Sequence, residues 1–197
     1  LLSLAISAKG DLIVLNSSAD LYRINSRNGD VYWTSNTLSS LLTDATDFFI
    51  SSQIVINNDE IIFSAGSTIL SYNLTNGFLN WETEINSISS PIIDGKNVFC
   101  VTKEGYFVIL NKKDGKVISS TNILNNLKKK KRNTEVTGFT MGSSKIYSVT
   151  LNGYLIINSA STGKFDSLKK IGSRITTSPI ITAGSLYILT EESKIIG

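Results

Sequence analysis

SSPIIDGKNVFCVTKEGYFVILNKKDGKVIS, residues 89–119, is the stretch whose reading decides the fold. It holds three short apolar runs, Pro91–Ile93, Val98–Val101 and Phe107–Leu110. Turn-forming groups separate them: Asp94 to Asn97, then Lys103-Glu104-Gly105, then Asn111 to Gly115. Runs this short, rich in Val, Ile, Phe and Tyr and punctuated by Gly, Asp and Asn, read as strands in hairpins rather than helices.

Outward from this stretch the pattern returns. LYRINSRNGDVYW (residues 21–33), ILSYNLTNGFLNW (69–81), FVILNKKDGKVIS (107–119) and YLIINSASTGKFDS (154–167) share one frame. In that frame Asn25, Asn73, Asn111 and Ser159 correspond, as do Gly29, Gly77, Gly115 and Gly163, and Trp33, Trp81, Ser119 and Ser167. The turn glycines lie 48, 38 and 48 residues apart. A period of about 40 to 50 with four strands per unit is the signature of a β-propeller blade. Glycine closes each turn because the turn needs a positive φ, and Asn ahead of it can cap the turn with its side chain. Thr177 to Ile181 mirrors Ser89 to Ile93 and opens a fifth unit that stops in its third strand.

The expectation is an all-β propeller, one domain over 1–197, with four-stranded antiparallel blades at about 1–36, 48–84, 89–121 and 136–169 and an incomplete fifth at 176–197. Two stretches between units are longer, Thr37–Thr46 and Thr121–Thr134. Both are expected to be loops, with a helical turn within Ile123–Lys129. Trp33 and Trp81 are expected to fill the wedge between neighbouring sheets rather than stand exposed as binding hot spots, because they occupy the same place in the repeat.

Composition narrows the chemistry. The chain has 197 residues, 41% hydrophobic and 18% charged, which suits a soluble globular protein. No run of about 18 apolar residues is present, so no membrane-spanning helix is expected. It opens at Leu1, without Met, on a strand-like run, and is read as a piece of a longer or processed protein. There is no histidine, which removes Ser-His and Cys-His nucleophile pairs and imidazole metal sites. The single cysteine, Cys100, lies within an apolar run and reads as a buried strand residue. One cysteine and scattered carboxylates make a poor zinc set, and no metal or cofactor is expected.

Formal net charge is +3, and Lys128-Lys129-Lys130-Lys131-Arg132 alone supplies five positive charges. These five residues are the candidate partner-binding site, since clustered lysines attract an acidic surface or lipid headgroups. The competing reading is a solvated, mobile insertion. Nucleic acid is not expected, because no aromatic residue is interleaved with the basic ones.

The segments Tyr22 to Trp33, Ser71 to Trp81, Ile109 to Lys116 and Ser161 to Lys164, with the Ser-Pro-Ile-Ile openings at Pro91 and Pro179, resemble the quinoprotein-type (PQQ-like) propeller repeat. Asn stands where that repeat usually has Asp. Within this superfamily the chain is similar to the BamB family of outer-membrane β-barrel assembly lipoproteins, in the C-terminal half of an eight-bladed ring. The resemblance implies a non-catalytic scaffold on the periplasmic side of the outer membrane. It further implies docking to the assembly pore subunit, and peripheral membrane association through a lipid anchor absent from this chain. An isolated part-ring would expose apolar flanks, so completion by a further segment or by a second copy is expected. Two alternatives stay open: a sensor or ligand-binding propeller of the same repeat, and a fragment of a quinone-dependent dehydrogenase. The dehydrogenase needs a calcium ion held by carboxylates and a catalytic Asp or His, and the acidic residues here fall in turns such as Asp59-Glu60 and Glu191-Glu192.

Overall fold

The computed structural model describes residues 3–37, 49–87 and 89–197. Among them the chain forms nineteen strands and two short 3-10 turns. The first sheet is β1 (Ser3–Ile6), β2 (Leu12–Leu15), β3 (Asp20–Ile24) and β4 (Val31–Asn36). The second is β5 (Val55–Asn57), β6 (Glu60–Ala65), β7 (Thr68–Asn73) and β8 (Leu79–Glu84). The third is β9 (Ile92–Asp94), β10 (Asn97–Val101), β11 (Tyr106–Asn111) and β12 (Val117–Asn122). The fourth is β13 (Val136–Gly142), β14 (Lys145–Thr150), β15 (Tyr154–Ser159) and β16 (Phe165–Lys170), and the last holds β17 (Ile180–Thr182), β18 (Ser185–Leu189) and β19 (Ile195–Ile196). In every sheet the strands pair antiparallel in chain order, as consecutive hairpins. These are blades of the kind the repeat predicts. The second sheet opens on the short strand Val55–Asn57.

Local chemistry explains the hairpins. Each of the four full units closes its last turn with the same hydrogen bond: the glycine N–H donates to the carbonyl of the framing residue. The pairs are Gly29 to Asn25, Gly77 to Asn73, Gly115 to Asn111 and Gly163 to Ser159, at 2.8–2.9 Å. The Asn side chains add the cap. Oδ1 of Asn25, Asn73 and Asn111 accepts from the N–H two residues on, at 2.8–2.9 Å. A second cap sits just before the glycine, where Asn28, Asn76, Asp114 and Thr162 each accept from the N–H two residues later.

Every fourth strand then carries a bulge at one place. Arg23 pairs with Trp33 but Ile24 with Val31, so Tyr32 is the extra residue. Asn80, Ile118 and Asp166 are its counterparts in the other full sheets. A bulge bends and twists the strand that contains it, and here it falls on an edge strand of each sheet, where regular geometry would invite pairing with another chain.

The chain divides into two compact units, Leu1–Asn86 and Ser87–Gly197. In the first, Ile13, Leu15 and Leu21 of one sheet interlock with Ile61, Phe63 and Leu70 of the next. Trp33 stands half-buried between these two sheets. Its indole N–H donates to the Leu74 carbonyl at 3.1 Å, and its ring lies against Gly77. Trp81 is buried. In the second unit, Phe99, Phe107 and Ile109 pack with Ile146, Tyr154 and Ile156, and Val149 and Leu155 pack with Ile175, which precedes the last sheet, and with Ile188 in it. Cys100 is fully buried in β10, and burial pushes its thiol up to about 12. Of the stretch Thr37–Thr46, the structure describes Thr37 alone.

Candidate functional site

The repeated residues are taken up by architecture: the Asn and Gly positions by turns, the Trp positions by packing. What remains for function is the segment between the third and fourth sheets, and the surfaces around it.

Hydrogen bonds tie that segment to its surroundings. Asn122 caps a 3-10 turn at Ile123–Asn126, its Oδ1 accepting from the Leu124 N–H at 3.0 Å. The turn lies within the range where a helical turn is expected. Ile123, Leu124 and Leu127 are buried in the core of the second unit, and Leu124 sits over Gly105, where a Cβ would lie 2.4 Å from its Cγ. A second 3-10 turn covers Lys129–Lys131. Arg132 locks the two together: Nε donates to the Leu127 carbonyl at 3.0 Å and Nη2 to the Asn125 carbonyl at 2.8 Å. Its guanidinium is therefore a structural tie, while Lys128, Lys129 and Lys131 are exposed.

Lys131 does not point freely into water. Its ammonium donates to the Tyr154 hydroxyl and lies 4.9 Å from the ring centroid. Lys170 comes to the same ring at 4.8 Å and donates to the Asn152 carbonyl at 2.5 Å. Asn152 in turn donates from its side chain to the Lys131 carbonyl at 3.2 Å. The fold thus joins the basic run to Lys170, the end of β16, because Tyr154 and Lys170 are register partners. Sequence reading misses this lysine. The signal that could find it is the pairing of β15 with β16, which places the end of one strand beside the start of the other.

A concavity lies in the first unit, a groove of about 340 Å³ lined by Ser35, Thr37, Tyr72, Phe78, Leu79 and Glu82. Burial, with the Glu82 carboxylate adding to it, raises the Tyr72 phenol above its ordinary value, so it stays protonated at neutral pH. Phe78 is 71% exposed at the rim. Among the described residues, no grouping of three or more His, Cys, Asp and Glu side chains is placed to hold a metal ion.

The family model described as outer membrane protein assembly factor BamB matches residues 2–121. The chain belongs to this family. Among solved structures, BamB from Moraxella catarrhalis superposes with a TM-score of 0.74 at 16% identity, over 99% of this chain and 60% of that one. The Cps50 (Swd1) β-propeller domain from Myceliophteria thermophila gives 0.72 at 12% identity, over 98% of this chain and 62% of that one. The computationally designed Ika8 protein gives 0.71 at 10% identity, over 98% and 56%. At these identities the structures establish the fold alone, and this chain spans about 60% of the length of its BamB counterpart. No curated protein matches the sequence.

Proposed function

We propose that this chain is a non-catalytic scaffold for protein contact in outer-membrane β-barrel assembly. It works on the periplasmic side of the outer membrane and docks to the periplasmic domains of the assembly pore subunit. Any membrane attachment would come through a lipid anchor on the parent protein. The observation that carries this reading is membership of the BamB family over residues 2–121. The chemistry of the side chains supports it. The one thiol is buried and held protonated, the Tyr72 phenol is shifted away from neutrality, and the repeated polar residues are turn caps.

Surface plasmon resonance against the purified periplasmic domains of the pore subunit tests the proposal. Saturable binding with a Kd of about 1–10 μM is expected, the range of a transient interface of modest area. No saturable binding up to about 100 μM, or quinone-dependent reduction of a dye by this chain, overturns it.

A further inference from the structure

Charge is divided between the two compact units. Ser87–Gly197 carries sixteen Lys and Arg against seven Asp and Glu, a formal +9, whereas Leu1–Asn86 carries three against nine, a formal −6. The net +3 of the chain hides this asymmetry. The basic pI therefore does not come from the Lys-rich run alone, since the second unit keeps +4 without it. Asymmetry of this size points to a partner of opposite sign.

Within the second unit the cations differ in what they face. The ion pairs among the described residues here are Lys116–Asp114, Lys145–Asp166, Arg174–Glu191 and Lys194–Glu192. None involves Lys128, Lys129, Lys131, Lys169 or Lys170. Glu135, the one acidic residue between Leu127 and Lys145, makes none of these pairs either. Two of the unpaired ammoniums, on Lys131 and Lys170, are held within 5 Å of the centroid of the same Tyr154 ring. Each ammonium has three donors and uses one in a hydrogen bond here, Lys131 to the Tyr154 hydroxyl and Lys170 to Asn152. Two like charges gathered on one ring repel each other, and an anion seated against both relieves that repulsion. Their stems are already ordered, so less conformational entropy remains to be lost on binding.

The form of the surface selects among anions. A planar Arg fork suits a phosphate through paired hydrogen bonds, but Arg132 is engaged with two backbone carbonyls. What is left is a series of point charges running from a 3-10 turn onto β16, an edge strand with all six residues exposed. Point charges spaced over the surface match carboxylates spaced along an extended chain. We infer that Lys131 and Lys170, held at Tyr154, together with the exposed Lys128 and Lys129 of the same basic run, form a docking surface for an extended acidic segment, rich in Asp and Glu, of a protein partner. This deepens the scaffold reading and rests on it.

Fluorescence anisotropy with a labelled ten-residue Asp/Glu peptide and the full 197-residue chain tests the inference at 50 mM and 200 mM salt. The variant K131Q/K170Q is expected to weaken peptide binding about tenfold at the lower salt, which is about 1.4 kcal/mol for the two contacts together. K131R/K170R restores it. K113Q/K164Q removes two exposed lysines of the same unit and changes the Kd by less than about twofold, with all four proteins melting together. Three results overturn the inference: equal weakening in K113Q/K164Q, which leaves only net charge; displacement of the peptide by millimolar inorganic phosphate at matched ionic strength, which makes the site a phosphate site; and lysine-dependent binding to phosphatidylglycerol vesicles without binding to the peptide. Pore-subunit binding is measured separately. Its loss with peptide binding intact overturns the scaffold reading alone, and the converse overturns the acidic-segment inference alone.

Discussion

Gly29 and Gly77 hold the same place in their hairpins, at φ of 79° and 74°, and make the same turn hydrogen bond. Their surroundings differ. A Cβ on Gly29 would meet nothing within 4 Å, whereas one on Gly77 would lie 2.6 Å from the Trp33 ring and 3.0 Å from Ser35 Oγ. Trp33 and Ser35 both anchor to this turn, through the Leu74 and Gly77 carbonyls. The pair of glycines therefore separates two costs that usually come together. Gly29→Ala should lose about 1–2 kcal/mol, the left-handed penalty for a residue with a Cβ. Gly77→Ala should lose about 1–3 kcal/mol more, because the indole has to leave its seat. Urea unfolding followed by Trp fluorescence measures both. Equal losses would mean that the Trp33 contact with Gly77 contributes nothing.

At the scale of elements, the hairpins were legible in sequence and the sheet-to-sheet contacts were not, for a physical reason. Turn chemistry is local. Asn73, Asn76 and Gly77 declare a turn within five residues, since each acts on backbone a few positions away. The meeting of Trp33 with Gly77 joins neighbouring sheets, and no local pattern announces that the same glycine is also the floor for an indole. The bulges at Tyr32, Asn80, Ile118 and Asp166 were hidden likewise, because they are defined by the partner strand. The basic run was visible but its order was not. Hydrophilic composition suggests a mobile loop, while Ile123, Leu124 and Leu127 beside it are core residues and Arg132 ties the backbone down. Limited trypsin digestion checks this element. The native chain should be cut slowly across Lys128–Arg132 despite five consecutive basic residues. Leu127→Ala, which removes a buried anchor at a cost of about 2–5 kcal/mol, should speed cleavage there at least about fivefold. Immediate cleavage of the native segment would refute the ordering.

For the whole molecule, charge distribution matters more than net charge. A protein with an isoelectric point near 8.9 is expected to pass through an anion exchanger at pH 7.5. This chain carries a formal −6 in one compact unit and +9 in the other, so the average misdescribes both. Charges inside one compact unit lie within reach of a single charged surface, and screening sets in beyond about 10 Å at 0.1 M salt. At about 100 mM salt, where the screening length is shorter than a compact unit, each unit therefore meets a resin largely through its own field. The chain should be retained on a quaternary-ammonium resin through Leu1–Asn86 and on a sulfonate resin through Ser87–Gly197. It should elute from the sulfonate at the higher salt of the two. The K131Q/K170Q variant should leave the sulfonate earlier and leave the quaternary-ammonium resin unchanged or later. Flow-through on the anion exchanger would show that the acidic unit has no separate field. The acidic-segment surface would then have to stand on the Tyr154 lysines without support from the unit around them.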